Sequence, residues 1–133
     1  MTTEQPIVLD VGQCNLDHGN ISQLLNEHFD ALVDRAHHAD EALRAVRDKR
    51  YNLVLINRIL DADGDEGLAF IERLQGDETT RDTPVMLVSN FADAQEAAVA
   101  LGARPGFGKS ALNDPKTVQC LSAYLSTTSE PAQ

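Results

Sequence analysis

The chain has 133 residues, 42% apolar and 24% charged, and its 21 acids against 11 bases give a formal charge of -10. That length can bury a hydrophobic core without disulfides or metals, and the acidic balance argues against broad electrostatic binding to nucleic acid or to an anionic membrane. No apolar run approaches the ~20 residues that cross a bilayer, "MTTEQP" lacks the order of a signal peptide, and two lone cysteines, Cys14 and Cys120, make no secreted disulfide framework, so a reduced, cytoplasmic protein is expected.

Short apolar runs alternate with segments of helical period. Ile7 to Val11 predicts a strand, interrupted by Asp10. Ile21, Leu24, Leu25 and Phe29 form a helical stripe in the segment from Asp17, which is expected to cap that helix. Ala31 to Ala36 predicts a second strand. "ADEALRAVRDKR" predicts a helix with Ala39, Ala42, Leu43 and Val46 inward and Arg44, Arg47, Lys49 and Arg50 outward. The unbroken apolar run Leu53 to Ile56 predicts a strand buried on both faces, as in a parallel sheet. "EGLAFIERLQ" follows as a helix. "PVMLVSN" is the fourth strand, with Pro84 at its first position. "ADAQEAAVALG" is a helix stopped at Gly102. "RPGFGK" is a short fifth strand, and "NDPKTVQCLSAYL" is a fifth helix capped by Asn113 or Asp114, with Val118, Leu121 and Leu125 inward.

Five βα units predict an α/β domain over residues 1–126, with a parallel sheet between two helical layers and a polar tail over 127–133. Ligands of such sheets sit at the carboxyl ends of the strands. The residues delivered there are Gly12, Gln13, Asn57, Ser89 and Lys109.

With these landmarks in order, the chain resembles the receiver domain of two-component response regulators over about residues 6–126. "YNLVLINRIL" is similar to the third strand, which in that family ends in the phosphoacceptor Asp. "PVMLVSN" is similar to the fourth, which ends in Ser or Thr, and "LGARPGFGK" to the Gly-Ala turn and the fifth strand leading to a Lys. "AHHADEAL" is similar to the start of the second helix. The resemblance implies a doubly wound, flavodoxin-like three-layer sandwich with strand order 2-1-3-4-5. It also implies phosphorelay signalling.

The resemblance further implies a site of three carboxylates holding Mg²⁺, with a hydroxyl and an ammonium on the phosphoryl oxygens. Here Ser89 and Lys109 match the hydroxyl and the Lys, but the phosphoacceptor position is Asn57, whose neutral amide is a poor nucleophile. The acidic pair falls on Gly12 and Gln13, with Asp10 two residues early. Asp10 could shift into the site, or could be a strand residue satisfied by polar neighbours. The matched charge is then about +1 from Lys109, or about 0 with Asp10, against about -2 in the usual site. Mg²⁺ binding and phosphotransfer to residue 57 are therefore expected to be lost, with Asn57 holding Lys109 or Ser89 instead. Ser110 follows Lys109 where the family has a cis Pro, so a trans peptide is expected. The aromatic switch position falls on Gly106, and Phe107 is expected to point into the core.

Other constellations are plainer. Asp61, Asp63 and Asp65 have the spacing of a Ca²⁺ loop, but Glu66 stands where that loop needs Gly. A solvated loop, or a loop carboxylate pairing with Lys109, competes with that reading. His18, His28, His37 and His38 show no metal spacing with Cys. The expectation is a non-enzymatic, stand-alone receiver-like protein acting by contact with a signalling protein or kinase, through about Ala92 to Leu125. It is expected to be a monomer or weak homodimer. The alternatives are a phosphoreceiver using Asp10 or Asp61, or a module responsive to Ca²⁺ or to an anion at Lys109 and Ser89.

Overall fold

The computed structural model describes residues 5–126; the predicted tail, 127–133, lies outside them. Five strands, β1 (Ile7–Val11), β2 (Leu32–Ala36), β3 (Leu53–Asn57), β4 (Val85–Val88) and β5 (Arg104–Phe107), alternate with five helices. The helices are α1 (Asn15–Phe29), α2 (Ala39–Asp48), α3 (Gly67–Gly76), α4 (Ala92–Ala100) and α5 (Pro115–Leu125). The sheet is parallel throughout, in the order β2-β1-β3-β4-β5. This is the predicted doubly wound sandwich.

The two-residue period of each strand sorts its side chains between the layers. Leu9, Val11, Val54 and Ile56 pack with Ala42 and Val46 of α2, Phe70 and Ile71 of α3, and Ala98 of α4. Val8, Leu53, Leu55 and Met86 pack on the other face with Ile21 and Leu25 of α1 and Leu121 and Leu125 of α5. Both faces of β3 are therefore covered, and all five of its residues are buried. Phe107 joins the α1–α5 side, as expected.

Element ends differ in physically informative ways. α1 begins two residues before Asp17, and Cys14 is its N-cap, with Sγ accepting from the Asp17 backbone N–H at 3.5 Å. Asp17 is thus not the cap, and its carboxylate is left for another partner. α5 begins as predicted on Pro115, with Asp114 accepting from the Lys116 N–H. Its buried stripe is Thr117, Leu121 and Leu125, with Val118 only partly covered. β4 stops at Val88, so Ser89 and Asn90 belong to the following loop.

The pairing of β4 with β5 slips between Met86 and Val88. The side chain of Gln95, on α4, fills the gap. Its Nε2 donates to the carbonyls of Leu87 (2.9 Å), Ser89 (3.1 Å) and Phe107 (3.3 Å), while Oε1 accepts from the Gly106 N–H (3.2 Å). A Cβ on Gly106 would fall 2.2 Å from the Leu87 carbonyl oxygen. The bare glycine is what allows the clip to form.

Candidate functional site at the strand ends

The carboxyl edge of the sheet does bring Gly12, Gln13, Asn57, Ser89 and Lys109 to one end, but their partners differ from expectation. Asn57 closes β3 and is 8% exposed. Its Nδ2 donates to the Gly12 carbonyl at 3.0 Å, and the Asp61 N–H donates to the same oxygen at 2.9 Å. Asn57 therefore ties β3 to the β1–α1 turn and is bonded to neither Lys109 nor Ser89. Gly12 has φ +77°, and a Cβ there would lie 2.3 Å from Leu60 Cδ2. Backbone conformation and packing together leave no room for a carboxylate-bearing residue at that position.

Lys109 donates to Asp17 Oδ2 at 2.7 Å. The ammonium is the main reason that the Asp17 carboxyl sits below its ordinary pKa. The acid that reaches Lys109 is thus neither Asp10 nor a residue of the acidic loop, but one in the first turn of α1. Its sequence signal, an acid near a helix start, had the competing explanation of a cap.

Asp10 shares the face of Val8 and is fully buried behind α1. It meets His18 Nδ1 at 2.7 Å. Burial raises its pKa from 3.8 to about 6, against the lowering effects of His18, Gln13 and Arg35. It does not turn into the crevice. Gln13 is also buried; its amide lowers the Asp10 pKa, yet no hydrogen bond of ordinary geometry joins the two. Arg35 holds the Gln13 carbonyl (3.0 Å) and Asn15 Oδ1 (2.8 Å), fixing the turn.

Beside Asn57 lies a crevice of 240 Å³, bounded by Arg58, Ser89, Asn90, Phe91 and Lys109. No carboxylate is among its lining residues. Arg58, Asn90 and Phe91 were missed from sequence. The Arg58 guanidinium stacks on the Phe91 ring, 4.8 Å from its centre, and no carboxylate pairs with Arg58 among the described residues. Ser89 Oγ accepts from the Phe91 N–H at 3.1 Å, leaving its own proton to donate. Asn90 Oδ1 accepts from both the N–H and the hydroxyl of Ser110, each at 3.1 Å. This latch closes the β5–α5 loop, and the Lys109–Ser110 peptide is trans.

Charge decides what the crevice can hold. Arg58 and Lys109 bring two positive charges and Asp17 removes one from its edge. Mg²⁺ demands hard, mostly anionic oxygens. An amide already donating to a carbonyl, a glycine and two cations do not fit it. In the acidic loop, Asp63 Oδ1 accepts from the Asp65 N–H at 3.0 Å and Oδ2 meets His38 at 3.1 Å. The Asp65 N–H and His38 together hold the Asp63 carboxyl below its ordinary pKa. Among the described residues no group of three His, Cys, Asp or Glu is placed to hold a metal ion. Asp61, Asp63 and Asp65 form a solvated loop.

The basic residues of α2 and of the two positions after it, Arg44, Arg47, Lys49 and Arg50, point outward as predicted. Arg47 pairs with Asp77, and Lys49 with Asp34 at 2.9 Å. No helix among the described residues is long and apolar enough to cross a membrane.

No protein-family model matches the sequence, and no curated protein does. Solved structures do match. A response regulator from Chloroflexus aurantiacus is 17% identical with a TM-score of 0.75, covering 92% of this chain and 99% of its own. The phosphorylated cyanobacterial phytochrome response regulator RcpA is 18% identical with a TM-score of 0.75, covering 97% and 100%. The receiver domain of the sensor histidine kinase PA1611 from Pseudomonas aeruginosa, with magnesium in its active-site cleft, is 15% identical with a TM-score of 0.69, covering 92% and 99%. The chain has the fold of response regulator receiver domains.

Proposed function

We propose that this chain is a receiver-like protein of the phosphorelay signalling class that works without phosphoryl transfer to residue 57. It acts by contact with a signalling protein or kinase in the cytoplasm, and it is not an enzyme. The observation that carries this reading is the bond from Asn57 Nδ2 to the Gly12 carbonyl. A carboxylate cannot make that bond, because it has no proton to donate. The side chain is therefore a strut between β3 and the β1–α1 turn, with no nucleophile to offer.

A phosphoreceiver built on Asp10 or Asp61 draws less support. Asp10 is enclosed behind α1 and bound by His18, out of reach of a phosphodonor. Asp61 is exposed, in the loop that the Gly12 carbonyl anchors, and does not line the crevice that holds Arg58 and Lys109. Incubation with a small acyl phosphate and Mg²⁺, followed by intact-mass measurement, tests the proposal. The expected result is an unmodified mass. A phosphoryl adduct that persists in Asp10→Ala and Asp61→Ala, and disappears in Asn57→Ala, would overturn it.

A further inference from the structure

The crevice beside Asn57 opens onto a larger groove of 590 Å³ between the β3–α3 loop and α4, with Arg58, Ile59 and Phe91 bordering both. Ile59 and Phe91 are 37% and 54% exposed, and they border the same groove. Leu68, Ala94 and Ala97 complete an apolar floor, and the two alanines leave room for an incoming side chain. Charge is sorted along this surface. The crevice end carries Arg58 and Lys109 without a lining carboxylate, whereas the groove end carries Glu66 and Asp93.

From this sorting we infer that the surface docks a segment of a protein partner in which a carboxylate side chain neighbours an aliphatic one. The carboxylate meets Arg58 in the crevice and the aliphatic side chain fills the groove. The Arg58 fork suits a planar carboxylate, and its stacking on Phe91 fixes the fork in place. Lys109 spends one of its three N–H groups on Asp17, and Ser89 keeps a hydroxyl proton. Glu66 and Asp93 repel the same carboxylate, so the segment has one register. The formal charge of -10 opposes approach from afar, but at physiological salt that field is screened beyond about 8 Å.

This inference rests on the contact role proposed above and names the chemistry of the partner. The test uses the full chain, labelled with ¹⁵N and titrated with acetyl-Asp-Leu-amide. Acetyl-Asn-Leu-amide, acetyl-Asp-Gly-amide and inorganic phosphate are the controls. Saturable shifts are expected at the amides of Arg58, Ser89 and Phe91. The Asn probe should bind about tenfold more weakly and the Gly probe several-fold more weakly. Arg58→Gln, checked for retained spectral dispersion, should abolish the preference for Asp over Asn. Equal binding of the Asp and Asn probes, or shifts elsewhere, or none, would overturn the inference. Phosphate reproducing the shifts with no gain from leucine would overturn it too, in favour of a small-anion site. The readout involves no phosphodonor, so it can fail while the unmodified mass stands, and the reverse.

Discussion

Asn57 shows how one atom changes the use of a position. Replacing its amide by a carboxylate turns a donor into a second acceptor against the Gly12 carbonyl. Asn57→Asp is expected to destabilise the fold by about 1–3 kcal/mol at neutral pH, less in acid, where the carboxyl regains a proton. Denaturant unfolding at pH 7 and pH 4 measures this. A stability equal to that of the parent at both would show that the bond carries little. Asp10 makes the opposite case, an acid kept where it is costly. Its folded-state pKa, about 6, exceeds the ordinary value of 3.8, chiefly through burial. Between those values the folded state binds more protons than the unfolded one, so stability falls as pH rises through that window. The loss approaches about 3 kcal/mol in total. His18, Gln13 and Arg35 face this carboxyl. Asp10→Asn should flatten this slope, gaining on the parent from pH 4 to pH 7. Parallel stability curves for the two proteins would contradict it.

At the scale of elements, the first turn of α1 and the Gln95 clip tie helices to the strand ends beside the crevice. The first turn of α1 sends Asp17 to Lys109 and His18 to Asp10, pinning the helix to the ends of β5 and β1. The Asp17–Lys109 pair lowers the Asp17 pKa, so its stabilisation is present above the ordinary carboxylate pKa and is lost as pH falls through the lowered value. Gln95 links α4 to both β4 and β5 through four bonds. It occupies the gap that an aromatic side chain on β5 would need. Gln95→Leu should cost about 2–4 kcal/mol, because several partly buried carbonyls and an N–H lose their partner at once. Amide exchange should then quicken at Gly106 and Ser89. Unchanged protection there would mean that water replaces the clip without cost. Periodicity and turn residues made every strand and helix legible, since those signals are local. The clip was not legible, because its donor and acceptors come together only when α4 folds back on the β4–β5 pair.

Over the whole molecule, charge sets the response to ions. With Asn57, Gly12 and Gln13 where a metal would need carboxylates, millimolar Mg²⁺ is expected to leave the melting temperature unchanged beyond what equal ionic strength produces. A saturable rise in melting temperature would contradict this. The interaction face expected from sequence, Ala92 to Leu125, includes α4 and adjoins the groove. The exposed apolar residues Ile59 and Phe91, however, lie outside it in the chain. They emerge from the loops after β3 and β4, where a hydrophobic residue in a sequence gives no sign of whether anything covers it.

Alternating apolar strands and amphipathic helices were enough, by themselves, to determine a parallel sheet between two helical layers with Asn57, Ser89 and Lys109 at its carboxyl edge. Strand period and length specify these, and neither depends on distant residues. Only the tertiary structure decided the partners. Lys109 found Asp17, Asn57 found the Gly12 carbonyl, Asp10 turned toward His18, and Arg58 lay on Phe91. Each pairing joins residues that the crossovers bring together, or that the pleat sends to one face rather than the other. A side chain's partner is set by that global geometry, which no local pattern encodes.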